Sequence, residues 1–99
     1  MSRPMEHAAA DLEKIVAGAL RRVPADDAPV MAWPLACGHK VAERARSLSF
    51  SGGVLRVEVP DVRWRNELQA LAPRYVAAIN RFVTQTVNRI EFIIAVPSK

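Results

Sequence analysis

SLSFSGGVLRVEV, residues 47–59, places two alternating apolar and polar runs around a pair of glycines, and the rest of the chain can be laid out from it. With a two-residue turn at Gly52-Gly53, Phe50 falls opposite Leu55, Leu48 opposite Val57, Ser49 opposite Arg56 and Ser47 opposite Glu58. Apolar and polar side chains then separate onto opposite faces of a hairpin. A three-residue loop without a bulge would set Ser49 against Leu55 and mix the faces. Glycine suits the turn because primed turns need positive φ.

Downstream, Pro60 ends the second strand and Asp61 is a good N-cap for a helix with Trp64, Leu68 and Leu71 on one face. Pro73 is expected to interrupt that helix and open another over Arg74–Val83, with Tyr75, Val76, Ile79 and Phe82 inward. A last strand is expected over Val87–Val96, with Ile90, Phe92, Ile94 and Val96 sharing a face. Upstream, Leu12, Ile15, Val16, Ala19 and Leu20 fall at helical spacing and predict an amphipathic helix from Met5 to Arg22. VPADDAP, residues 23–29, reads as a linker. A short helix around Val30–Leu35 follows, and then Gly38 and a polar stretch, His39–Arg46.

The order is then α, a short α, β, β, α, α, β. One sheet face carries Leu48, Phe50, Leu55, Val57, Val59, Ile90, Phe92 and Ile94, and the other shows Ser47, Ser49, Arg56, Glu58, Arg89 and Glu91. Helices should cover only the first. The expected fold is therefore an α+β open-faced sandwich with a three-stranded sheet.

Composition fits one domain over residues 1–99; residues 1–6 are expected to be flexible, and no extension is expected after the last strand. Of the 99 residues, 51% are apolar and 24% charged, enough for one core. Cys37 is the only cysteine, so an internal disulfide is excluded and a reducing compartment, the cytoplasm, is the natural expectation. No stretch approaches the ~20 apolar residues of a membrane span.

Charge is uneven. The chain carries 14 Lys+Arg against 10 Asp+Glu, a net +4, and the excess lies entirely beyond residue 39. Arginine dominates, and its planar fork suits phosphate and carboxylate. That favours a nucleic acid or an acidic protein surface as partner. Arg63 and Arg65 open one expected helix, Arg74 opens the next, and Arg81 lies two turns further on. Helix starts also offer unpaired N–H groups to anions. These four are the leading candidates for nucleic-acid contact, with Arg56 and Arg89 on the open sheet face second; solubilising the helix surfaces is the competing role. Trp64 lies on an inward stripe and reads as core. Trp33, beside Pro34, either seals the end of the core or anchors a partner, and is the candidate partner contact.

Catalysis and metal binding find little support. Cys37 and His39 flank Gly38 with nothing to orient them as thiol and base. One cysteine and two histidines do not make a four-ligand zinc site. The paired glycines sit in a hairpin, not between a strand and a helix where phosphates are cradled. No cofactor is implied.

Several short motifs recur in a familiar order: Trp33 and Gly38, Val41-Ala42, Gly53-Val54-Leu55-Arg56-Val57-Glu58-Val59, Trp64, Glu67-Leu68, Leu71-Ala72-Pro73, Ile79-Asn80, and Val87-Asn88-Arg89-Ile90. In order and spacing the chain resembles the DciA family over about residues 8–96. The resemblance implies a KH-like domain of the bacterial type and a non-enzymatic bacterial protein. Such a protein engages the replicative DNA helicase, helps load it onto DNA, and has affinity for DNA. A KH domain that grips single strands uses a Gly-x-x-Gly loop between paired helices. Here that junction reads Leu71-Ala72-Pro73-Arg74, so DNA contact is expected to depend on the arginines. The alternative is a general KH-like module for single-stranded nucleic acid, RNA included, although the open sheet face offers no aromatic for stacking.

Overall fold

The hairpin turn is built from two left-handed glycines, Gly52 at φ 57° and Gly53 at φ 79°. Gly53 is constrained twice. A Cβ there would run into the Asn88 side chain, and its carbonyl accepts from the N–H groups of Asn88, at 2.8 Å, and Arg89, at 3.3 Å. The turn thus fastens the start of the third strand as well as joining the first two.

The computed structural model describes residues 14–96. In chain order these form helix α1 over residues 14–20, α2 (Ala28–Cys37), α3 (His39–Ala42), β1 (Arg46–Ser51), β2 (Val54–Val59), α4 (Val62–Phe82) and β3 (Arg89–Ile94). The sheet order is β1-β2-β3, with β1 antiparallel and β3 parallel to β2. α2 packs on β1 and α4, and α4 packs on β3, so the helices lie on one face. This is the expected α+β open-faced, KH-like sandwich.

Leu55, Val57 and Val59 are buried on that inner face with Phe50, Ile90 and Phe92. Trp33 is the centre of the core, 1% exposed. Its Nε1–H donates to the Ala45 carbonyl at 2.8 Å. Its ring meets Tyr75 edge-on at 5.2 Å and Phe92 at 6.2 Å, joining α2, α4 and β3. The expected role of Trp33 as a direct partner contact is therefore corrected, because the indole has no free surface to offer.

Four expectations about elements also change. First, Phe50 pairs with Leu55 and Ser49 with Arg56 as expected, but a bulge then places Ser47 opposite Val57 and Arg46 opposite Glu58. Ser47 turns inward because its hydroxyl donates to the Val30 carbonyl of α2 at 2.7 Å, and Leu48 is left 49% exposed. Second, Pro73 does not divide the helix. α4 runs unbroken for 21 residues, since Leu68, Tyr75 and Ile79, on both sides of the proline, are buried in the same core. Each such side chain gains roughly 1.5–3 kcal/mol on burial, against roughly 3 kcal/mol for an interior proline. Gln69, whose carbonyl loses its donor, lies on the exposed side.

Third, α2 extends from Ala28 to Cys37, with Pro29 in its first turn and Pro34 inside, and stops at Gly38, whose φ is 89°. The linker expected through Pro29 therefore ends two residues early, and the polar stretch His39–Arg46 contains α3. Fourth, β3 is shorter than expected: Val96 lies past its end and is 86% exposed. The expected first helix is described only from residue 14. There Val16 and Leu20 pack inward while Ile15 is 66% exposed, so its apolar stripe is narrower than its sequence suggests. The flexibility expected for residues 1–6 lies outside the described residues.

Candidate nucleic-acid interface

Asp61 starts α4 as expected, its carboxylate accepting the Trp64 N–H at 2.9 Å from an extended backbone. Because α4 is continuous, the azimuths of its arginines follow from 3.6 residues per turn. Arg63, Arg74 and Arg81 fall within about 20° of one another, on a stripe running about 27 Å along the helix. All three are exposed. Arg65 lies about 160° around the helix from Arg63 and is half-buried. The continuous helix thus aligns three of the four expected contacts and sets the fourth apart.

Arg56 and Arg89 lie in the other layer. On the open sheet face Arg56 stands beside Glu91 in the parallel ladder, and its Nε donates to Glu91 Oε1 at 3.2 Å. Arg89 Nη1 approaches the other oxygen, Oε2, at 3.8 Å. One carboxylate therefore serves two arginines. The pairing depends on the β2–β3 register, which local periodicity does not reveal.

On α4, Arg63 Nε is 3.6 Å from Glu67 Oε1, with both side chains well exposed. Arg74 has no acidic partner among the described residues. It borders a groove of about 360 Å³ between α2 and α4, lined also by Ala36, Leu71, Tyr75 and Ala78. Burial and the Cys37 thiol push the Tyr75 phenol above its usual pKa, and the Arg74 charge pulls it part of the way back. Three further cations are exposed at the α3–β1 corner, Lys40, Arg44 and Arg46. Periodicity gives no reason to single them out; their signal is local density.

Cys37 and His39 turn to different partners. Cys37 Sγ donates to the Gly38 carbonyl at 3.5 Å, and burial pushes its thiol up to about 11. His39 Nε2 meets Glu43 at 2.8 Å. Among the described residues no group of three or more His, Cys, Asp or Glu side chains converges on a common point. No described helix is long and apolar enough to cross a membrane.

Compared with known proteins, residues 6–92 match a family model described as Dna[CI] antecedent, DciA. No curated protein matches the chain.

Proposed function

This chain belongs to the DciA family, and from that premise we propose that it binds the replicative DNA helicase and assists its loading onto DNA without catalysing a reaction itself. The family implies a helicase-loader role in DNA replication. In this reading any nucleotide chemistry belongs to the helicase. The chain contributes surfaces for the helicase and for DNA.

The observation that favours a DNA contact is the exposed stripe of Arg63, Arg74 and Arg81 on the outer side of α4. Such a row positions a phosphate backbone and does not read bases. Arg56 and Arg89 serve this role less well, because Glu91 already holds them, and Arg65 points elsewhere.

The test has two parts. A nuclease-treated pull-down against the replicative helicase of the same organism should retain a complex; no complex by light scattering at tens of micromolar overturns the loader reading. For DNA, titration across salt concentrations should show affinity falling with salt. Replacing Arg63, Arg74 and Arg81 by alanine should reduce the log–log slope on single strands by about 2. An unchanged slope removes the α4 stripe from the proposal.

A further inference from the structure

The corner between α3 and β1 gathers three exposed cations, Lys40, Arg44 and Arg46, against two acids, Glu43 and Glu58. α3 does not end sharply at Ala42. The Glu43 N–H reaches the His39 carbonyl at 3.1 Å, and those of Arg44 and Ala45 both reach the Val41 carbonyl, at 3.0 and 2.8 Å. The helical turn therefore carries on through Arg44, making Lys40 and Arg44 neighbours four residues apart on its outer side. Ala45, fully buried, faces inward, and its carbonyl is held by the Trp33 indole at 2.8 Å. Arg46 then begins β1. The three cations thus stand on a backbone pinned to the centre of the core.

Glu91 pairs with Arg56 and Arg89, and Glu67 with Arg63, whereas the corner cations, like Arg74, have no ion pair among the described residues. Glu43, the acid on the same turn, is engaged by His39. Glu58 stands opposite Arg46 in the ladder, yet no ion pair joins them. Lys40, Arg44 and Arg46 are all exposed and have no acidic partner among the described residues. Like charges one helical turn apart repel, so the cluster is a cost to the fold that an anion would relieve.

We propose that Lys40, Arg44 and Arg46 form a second nucleic-acid contact, separate from the α4 stripe, that takes the phosphate backbone of DNA. This rests on the DNA-binding reading above and adds a site to it. Two fork donors and an ammonium on a fixed corner suit successive phosphates of one strand, and the contact would be indifferent to base sequence.

The test is a fluorescence-anisotropy titration of a single-stranded oligonucleotide at several salt concentrations. It uses the full chain, the triple variant K40A/R44A/R46A and the charge-retaining variant K40R/R44K/R46K. The alanine variant should bind at least about tenfold more weakly at low salt, its log–log slope smaller by about 2. The charge-retaining variant should keep the original slope. An alanine variant that binds like the original overturns the corner site, and the DNA reading then still stands if R63A/R74A/R81A weakens binding. Salt-independent or absent binding by the original chain overturns both. Equal loss in the charge-retaining variant, or loss of helicase capture with DNA affinity unchanged, also overturns the proposal, since charge towards phosphate would not be what the corner supplies.

Discussion

Asn80 shows how much one side chain can organise in this fold. Its Nδ2 donates to the Val87 carbonyl at 3.1 Å and its Oδ1 accepts the Val87 N–H at 2.9 Å, so the amide takes the place of a missing strand neighbour. Val87 is 1% exposed, leaving its backbone no water to turn to. Replacing Asn80 with alanine should cost roughly 1–3 kcal/mol, read as a lowered urea midpoint. A loss below about 0.5 kcal/mol, the usual range for an ordinary surface position, would show that the clamp is dispensable. Cys37 makes a pH-dependent contribution of known sign. Its thiol titrates near 11 in the folded chain against 9.0 for an unperturbed thiol, so the folded state holds the proton more tightly. That stabilisation is fully present below pH 9 and is lost as pH rises through about 11. Denaturation at pH 8 and pH 10.5 should therefore show a larger fall for the original chain than for Cys37→Ala. Equal falls would assign the effect to Tyr75, whose phenol is shifted in the same direction.

At the scale of elements, what could be read from the sequence was what is locally determined. The Gly52-Gly53 turn and the Asp61 cap act within a few residues of themselves, and both stand as expected. Leu48 misleads because Ser47 answers to Val30, 17 residues away, and alternation cannot register so distant a partner. Pro73 misleads for a similar reason: local rules price its ring but not the core on either side of it. The candidate site inherited both effects. The α4 stripe is aligned only because the helix is unbroken, and Arg56 meets Glu91 only because β3 lies parallel to β2 in one register, whereas Arg89 and Glu91 share a face of β3 itself. Pro73→Ala distinguishes the two accounts of the helix. In the continuous α4 the variant restores an N–H to the Gln69 carbonyl and should stabilise the chain, by up to about 3 kcal/mol. In a broken pair Pro73 would occupy a favoured first-turn position, and its loss would be neutral or harmful.

For the whole molecule, the layering decides which charges a polyanion can feel. The outer side of α4 and the open sheet face point in opposite directions, with the core between them. The helix alone is about 10–12 Å across with its side chains, more than the Debye length of about 8–10 Å at physiological salt. A strand lying along Arg63, Arg74 and Arg81 is thus screened from Glu91 but not from Glu67, which draws on the Arg63 fork at 3.6 Å. The two acids make a matched pair of probes, since removing either raises the net charge by one. Glu67→Gln should strengthen DNA binding and steepen its salt dependence, by up to about 0.7 in slope on single strands. Glu91→Gln, which releases both Arg56 and Arg89, should leave the slope unchanged. Equal gains from both would mean that DNA responds to net charge alone and that the layers do not define an interface. A gain from Glu91→Gln only would move the interface to the open sheet face.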